Sequence, residues 1–134
     1  MIKLDSVKKH IENEYNKSNI TDEDNLQNVL IGGGLANRGK TSNDIDLIAE
    51  IDEGILDKKN SSEKIINIIE HLQKVFPEKM SFDNETLKVD IQFFVLSGDY
   101  GVSQYGKVHE DKTISRSTEP YEISNKQKET VELF

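Results

Sequence analysis

Apolar and polar residues alternate in residues 44–51, and this period of two predicts a β-strand. In Asp44-Ile-Asp-Leu47 the alternation sends Asp44 and Asp46 to one face of the strand and Ile45 and Leu47 to the other. The two carboxylates therefore lie on the same face, while the apolar side chains are available for a core. A shorter apolar run over residues 28–32 predicts a preceding strand.

A similar alternation runs through residues 86–96. It places Val89, Ile91 and Phe93 on one side of a strand and Lys88, Asp90 and Gln92 on the other. Residues 79–83 form a shorter segment of the same kind, and a turn at Asp83-Asn84 joins the two segments as a β-hairpin. If the strands at 44–51 and 86–96 are neighbours, Asp90 joins Asp44 and Asp46 in one acidic cluster.

Two stretches repeat their apolar residues at helical spacing. The first covers residues 5–17, with a capping residue at Asp5 or Ser6. The second covers residues 63–76 and is the strongest helix signal in the chain, followed directly by Pro77. Each helix is expected to pack through one apolar stripe.

The remaining segments give weaker patterns. Residues 33–40 read as a short helix or turn, and residues 97–106, rich in glycine and tyrosine, read as a loop. In that loop Tyr100 or Tyr105 could stack on a base, or the segment could be an ordinary connector. Residues 107–123 could add an edge strand, and residues 124–134 predict a short terminal helix.

Length and composition restrict the classes of function. The 134 residues predict a single domain, with a core at about 28–95, a helix within 1–20 and a C-terminal extension over 97–134. The net charge of −8 opposes binding to a long nucleic acid, because lysine and arginine contacts to phosphate supply most of that affinity. Without cysteine, neither a disulfide framework nor a cysteine zinc site can form. No apolar run is long enough for a membrane span and the N-terminus is too polar for a signal peptide, so a cytoplasmic protein is expected.

The candidate chemistry lies between the first two strands. A glycine run follows the apolar residues up to Ile31, and Asp44 and Asp46 come after a short gap. Glycines in such a turn let backbone amides approach a phosphate without steric hindrance from a side chain, and a following helix N-terminus favours the negative charge. Paired carboxylates suit a hard, oxygen-seeking cation such as Mg²⁺. The arrangement predicts a site for a metal ion and a polyphosphate.

These motifs resemble the nucleotidyltransferases of the DNA polymerase beta superfamily. That family has an apolar strand, a Gly-Gly or Gly-Ser pair, Asp-x-Asp or Asp-x-Glu in a second strand and a third acidic residue on a later strand. The corresponding residues here are Gly33-Gly34, Asp44-Ile45-Asp46 and Asp90. The stretch from Asn37 to Leu47 is most similar to the minimal nucleotidyltransferases, although its gap between Gly39 and Asp44 is somewhat shorter. The resemblance covers residues 28–95.

The resemblance implies a fold and a set of site residues. The fold is mixed α/β (α+β), with a small mixed or antiparallel sheet and helices on one side. Asp44 and Asp46 would bind both Mg²⁺ ions, for which Mn²⁺ could substitute, and Asp90 would bind the catalytic ion and help to deprotonate the acceptor. Gly33 and Gly34 would hold the triphosphate of a nucleotide such as ATP, and Arg38 and Lys40 would neutralise its charge. A surface role for Lys40 is an equal alternative, and Gly34 replaces the serine that the family often has.

The implied activity is transfer of a nucleoside monophosphate from a nucleoside triphosphate to an acceptor hydroxyl. By analogy with small members that act as antitoxins, the acceptor could be a tyrosine on a small helical, toxin-like partner protein. One alternative is a non-catalytic nucleotide-binding or protein-interaction module on the same scaffold. Another is an antibiotic adenylyltransferase, for which the acidic composition suits a cationic substrate. A nucleic-acid polymerase comes last, because of charge and size.

Overall fold

The structure of the chain is a computed structural model that describes residues 2–18, 25–32, 35, 39–41, 44–57, 59–82, 84–97, 102–109, 111–119 and 131–132. Its elements are, in chain order, β1 (Ile2–Lys3), α1 (Leu4–Ser18), β2 (Leu26–Gly32), β3 (Lys40–Thr41), β4 (Asp44–Ile51), a 3-10 helix (Glu53–Asp57), α2 (Ser61–Val75), β5 (Lys79–Phe82), β6 (Glu85–Ser97), β7 (Val102–Val108), β8 (Ile114–Glu119) and β9 (Val131–Glu132). The predicted mixed α/β class is confirmed. Among the helices of the described ranges, none is long and apolar enough to cross a membrane.

The strands form one mixed sheet of seven and one sheet of two. The larger sheet has the order β8-β7-β6-β4-β2-β9, with β5 paired to β6. Strands β4 and β6 run parallel, whereas the other pairs are antiparallel. Parallel neighbours need a crossover connection. Here the connection contains the 3-10 helix, α2 and β5, and it places the two aspartate-bearing strands side by side.

Both α-helices use their predicted apolar stripes. In α1, Val7 and Ile11 are fully buried, and Leu4 and Tyr15 pack more loosely against the same core. In α2 the buried residues are Ile65, Ile68, Ile69 and Leu72. The N–H of Phe76 donates to the carbonyl of Leu72 at 2.8 Å, and α2 ends there because proline follows.

The core lies on one face of the large sheet. It joins the helix stripes to the buried residues of β4 and β6, which are Ile45, Leu47, Ala49, Ile51, Val89, Ile91, Phe93 and Val95. Their positions follow the predicted alternation, and both helices pack on this face, as predicted. The opposite face of β4 and β6 therefore carries Asp44, Asp46 and Asp90.

Two predictions for the second half of the chain are wrong. Tyr105 lies in β7, not in a loop, because its strand pairs with β6 from Phe93↔Gly106 to Ser97↔Val102. Val131–Glu132 is a strand paired with β2, not part of a helix. The backbone groups on the outer edge of β2 give these two residues a hydrogen-bonding partner that local helix preference does not reveal. Tyr100, in the predicted loop, lies outside the described residues. The remaining residues of the predicted terminal helix also lie outside them.

The predicted edge strand over residues 107–123 is only partly right. Strand β8 begins at Ile114 and is the outer strand next to β7, whereas Lys107 and Val108 belong to the end of β7. A tight turn separates the two strands, and Lys112 adopts a positive φ of 66° there. The weak alternation in the sequence therefore contains two strands, not one.

Candidate functional site

The candidate site lies in the middle of the large sheet, where β2, β4 and β6 meet. Gly32, at the end of β2, pairs with Asp46 of β4, and Asp46 in turn pairs with Asp90 of the parallel strand β6. Parallel strands keep equivalent residues level with one another. The sheet thus brings together the start of the glycine turn and two of the three predicted carboxylates.

The three carboxylates differ in exposure. Asp44, at the start of β4, is exposed and pairs in register with Lys88, whereas Asp46 is half-buried. The side chain of Asp90 is 24% exposed. Asp46 lies between the other two, since Asp44 precedes it by two residues on the same face and Asp90 is its neighbour on β6.

This position changes the acidity of Asp46. Burial raises the pKa of the Asp46 carboxyl, and the negative charges of Asp44 and Asp90 raise it further, while the charge of Lys107 lowers it. Asp46 is therefore close enough to both other carboxylates to be repelled by them. A bound cation would relieve this repulsion.

Lys107 is a contact of the site that sequence analysis missed. Its ammonium donates to a carboxylate oxygen of Asp90 at 2.5 Å. The residue lies in β7, next to β6 in the sheet. The weak alternation of residues 107–123 predicts one edge strand and contains no signal that places Lys107 beside the aspartates.

A second unexpected feature is the amide of Gln92. The residue lies on the same face of β6 as Asp90, two positions further along. Its side-chain oxygen is buried and accepts no hydrogen bond from the described part of the protein. A buried acceptor without a donor is costly, so this atom marks a position where a donor could bind.

Of the four residues predicted to contact the phosphates, the structure describes only Lys40. Gly33, Gly34 and Arg38 lie outside the described residues. Lys40 lies in β3, not in the predicted helix or turn, and its backbone pairs with Lys3 of β1. Its side chain is outside the description. The roles of all four residues stay predictions.

The connection from the glycine turn to β4 is anchored to the N-terminus of the chain. The carbonyl of Gly39 accepts a hydrogen bond from the N–H of Leu4 at 2.8 Å, and the N–H of Gly39 donates to the carbonyl of Leu35. Gly39 has a φ of 75°, a conformation that glycine adopts without strain. Leu35 is buried in the core. These contacts fix both ends of the segment that carries Arg38.

The donor atoms of the site suit a magnesium ion, but they are not arranged as a complete metal cage. Three carboxylates offer the oxygen ligands that Mg²⁺ prefers, and their mutual repulsion favours a cation. Within the described ranges, however, no group of three or more His, Cys, Asp or Glu side chains is close enough together to hold a metal ion. One of the three, Asp90, is already bonded to an ammonium. The residues fit the metal in chemistry, and their metal-binding role stays a prediction.

A cavity of about 440 Å³ opens beside Asp90. It lies between the second half of α2 and the adjoining strands β6 and β7. Its lining is strongly charged and includes Glu70, Lys88, Asp90, Lys107 and His109. The cavity is thus a polar space next to the third carboxylate.

The chain resembles two solved structures, both at low sequence identity. No protein-family model matches the chain, and no curated protein matches it in sequence. A cyclic dinucleotide synthase, CdnE of Elizabethkingia meningoseptica, solved with GTP and Apcpp, is 14% identical with a TM-score of 0.46. A CdnC:HORMA-deltaN complex from E. coli MS115-1 is 20% identical with a TM-score of 0.44.

Both alignments cover 81% of this chain but only 47% and 38% of the other chains. The chain therefore spans less than half the length of either structure.

Proposed function

We propose that the protein is a nucleotidyltransferase that moves a nucleoside monophosphate from a nucleoside triphosphate to an acceptor hydroxyl. The observation that carries the proposal is the pairing of Asp46 with Asp90 on adjacent parallel strands, beside Gly32. Strands far apart in sequence meet so that two carboxylates and the first residue of a glycine turn share one position in the sheet. The order of these motifs is the one that resembles the polymerase beta superfamily.

The triphosphate would bind at the glycine turn. Backbone amides of Gly33 and Gly34 would donate to its oxygens, and Arg38 and Lys40 would neutralise part of its charge. The contacts of Leu35 and Gly39, on either side of the segment that carries Arg38, support this assignment.

The three carboxylates would hold Mg²⁺, with Asp44 and Asp46 shared between two ions and Asp90 on one of them. Bound there, the metal would supply positive charge to the phosphates and to the attacking oxygen. The pKa of Asp46 is raised first by burial and then by the charges of Asp44 and Asp90, and a bound cation would offset both effects, which supports this role.

The remaining chemistry belongs to the carboxylate of Asp90. The acceptor hydroxyl oxygen forms a bond to the α-phosphorus, and the bond from that phosphorus to the bridging oxygen breaks, releasing pyrophosphate. Asp90 accepts the hydroxyl proton as the new bond forms. The cavity beside Asp90 offers space for the acceptor.

The acceptor is proposed to be a hydroxyl on a partner protein, such as a tyrosine. The net charge of −8 disfavours a long nucleic acid. The cavity beside Asp90 is open and polar, which suits a side chain presented by another protein.

One observation favours a second candidate, a non-catalytic module that retains the scaffold. Within the described residues the carboxylates form no ready three-ligand metal site, and Asp90 is paired with Lys107. In the protein-interaction form of this alternative, the module would bind a nucleotide weakly or not at all.

Titration calorimetry separates the two candidates. ATP, GTP, CTP and UTP are each titrated with Mg²⁺ into the wild type, into Asp46→Asn and into Asp5→Asn, a control that removes an exposed carboxylate from α1. We expect at least one triphosphate to bind the wild type and the control, and to bind Asp46→Asn at least about tenfold more weakly, since a metal ligand is lost. The Asp46→Asn variant is expected to keep the fold, because it removes a charge that its neighbours repel.

Equal binding by Asp46→Asn and the wild type would contradict the assigned site. If no triphosphate bound the wild type, the non-catalytic module would become the better account. Where a triphosphate does bind, its base identifies the nucleotide for an assay of transfer to candidate proteins.

A further inference from the structure

The ion pair between Lys107 and Asp90 lies inside the proposed metal site. Lys107 approaches Asp90 to 2.5 Å, and the two side chains are 42% and 24% exposed. Its charge also acts on the neighbouring carboxyl, since it lowers the pKa of Asp46. A single ammonium thus offsets negative charge on two of the three carboxylates.

We propose that Lys107 is a resident cation that occupies Asp90 until a divalent metal displaces it, so that metal loading is gated by this side chain. The inference rests on the proposed function, because it concerns the same carboxylates. It assigns a role to a residue of β7 that lies outside the glycine turn and the aspartate motifs.

Charge makes the two cations compete. The Asp90 oxygen that accepts a hydrogen bond from the Lys107 ammonium at 2.5 Å is less available as a ligand to a metal ion. A metal bound to the same carboxylate would also lie within a few ångströms of the ammonium, where like charges repel. Moving Lys107 away would end this repulsion and free the oxygen that it occupies, so the ammonium lowers the apparent affinity of the site for a metal.

The lack of a complete three-ligand group agrees with this arrangement. Within the residues that the structure describes, no such group exists, although the three aspartates occupy adjacent positions of one sheet face. The ammonium of Lys107 partly neutralises the charge of Asp90.

Gln92 provides a second position for the displaced ammonium. The paired register of β6 and β7 ends at Phe93 and Gly106. Continued by one residue, it would place Gln92 and Lys107 across from each other on the face that carries Asp90. The side-chain oxygen of Gln92 is buried without a hydrogen-bond donor. An ammonium leaving Asp90 could donate to that oxygen, so displacement need not leave Lys107 without an acceptor.

The test measures metal binding directly and does not depend on catalysis. Mn²⁺ alone is titrated into the wild type, Lys107→Gln, Lys107→Arg and Lys64→Gln, and free Mn²⁺ is followed by electron paramagnetic resonance. Lys64 is exposed in the first turn of α2, so its replacement makes the same charge change outside the site. Thermal melting followed by circular dichroism verifies that each variant is folded.

We expect Lys107→Gln to bind Mn²⁺ roughly fivefold more tightly than the wild type, the scale set by a partly exposed ion pair. Lys107→Arg and Lys64→Gln should bind as the wild type does. The gain should persist at about 0.5 M salt, because screening removes distant charge effects but not a direct contact. It should vanish when Asp46→Asn is added to Lys107→Gln.

Three results would overturn the proposal, and they differ in what else they remove. If Lys107→Gln and the wild type bound Mn²⁺ equally, the gate would be absent while the metal site and the proposed function remained. If neither protein bound Mn²⁺ at all, the metal site itself would be missing and the proposed function would fall with the gate. A gain that disappeared at high salt would also count against direct competition.

Discussion

At the scale of single residues, the turn between β7 and β8 shows how local hydrogen bonds shift the pKa of one carboxyl group. The hydroxyl of Thr113 donates to the Asp111 carboxylate at 2.6 Å and its backbone N–H donates at 3.0 Å. These hydrogen bonds hold the pKa of Asp111 below its ordinary value of 3.8, with a smaller contribution from the charge of His109. Hydrogen bonds to the charged form favour that form.

Replacing Thr113 by valine is expected to raise the pKa of Asp111 while leaving it below the ordinary value. The hydroxyl bond is lost, but the backbone N–H bond remains. A ¹³C NMR titration of the Asp111 carboxyl carbon measures the shift, and Thr86→Val, on the exposed side of β6, is the control. An unchanged Asp111 titration in Thr113→Val would show that the hydroxyl is not the main cause.

The same bonds make stability depend on pH in a definite direction. Since the folded-state pKa lies below the unfolded value, the unfolded chain binds more protons in the range between the two values. The stabilisation by Asp111 is therefore complete above the unfolded pKa and is lost as pH falls through the folded pKa. Thr113→Val should show a weaker acid dependence.

At the scale of elements, β6 and β7 approach each other as closely as they do because residue 106 is glycine. A Cβ atom there would lie 2.1 Å from the carbonyl oxygen of Ser115 and 2.6 Å from the ring of Phe93. Neither the backbone of β8 nor the fully buried ring can yield easily. Glycine thus permits the β6-β7-β8 packing that also brings Lys107 to Asp90.

Gly106→Ala is expected to destabilise the fold by about 1–3 kcal/mol or more, the range for overpacking a buried position. Urea unfolding followed by circular dichroism measures the change in free energy. Gly54→Ala is the matched control, since its added Cβ would come no closer than 3.7 Å to another atom, in the side chain of Asp52. A Gly106→Ala variant as stable as Gly54→Ala would mean that the strands can separate without cost.

At the scale of the whole molecule, the sheet places its most protected strands under the site. Strands β4 and β6 are each flanked by hydrogen-bonded neighbours on both sides and bury one face in the core, whereas β8 pairs with β7 alone among the described strands. Rigid support is useful here, because carboxylates on two strands must keep their spacing. Local opening requires less free energy at the rim of a sheet than at its centre.

Native-state hydrogen exchange should reveal this gradient. The amides of Ile45, Leu47, Ile91 and Phe93 are expected to exchange most slowly, near the rate set by global unfolding. Amides of β8 should exchange faster, through local opening. Equal protection across the sheet would indicate a single cooperative unit without a weak rim.

Local patterns were enough for much of the fold. Strand β4 occupies the predicted residues 44–51, and the β5-β6 hairpin turns where expected, with Asn84 at a positive φ of 69°. Helix α2 follows its apolar stripe closely. In these segments, period, turn chemistry and helix-ending residues all agree, so neighbours in sequence already specify the structure.

The candidate site was predictable in its residue types but not in its contacts. Alternation and spacing identify the aspartates in the sequence. Whether they lie close together depends on β4 and β6 being neighbours in the sheet, which the sequence does not specify. Lys107 and the strand at Val131 gave no usable signal, because their partners lie in other elements. Short strands and ion pairs form wherever the sheet offers an edge or an opposite charge.

The mixed α/β class, the main strands and helices, and the face that carries the three carboxylates could all be predicted from local patterns in the sequence. The parallel pairing of β4 with β6, the alignment of Asp46 with Asp90, and the contact between the Lys107 ammonium and Asp90 became visible only in the folded structure. Periodicity and turn chemistry act over a few residues, and the sequence records them directly. Strand order and cross-strand pairs depend on how the whole chain closes around its core, so they appear only once it has folded.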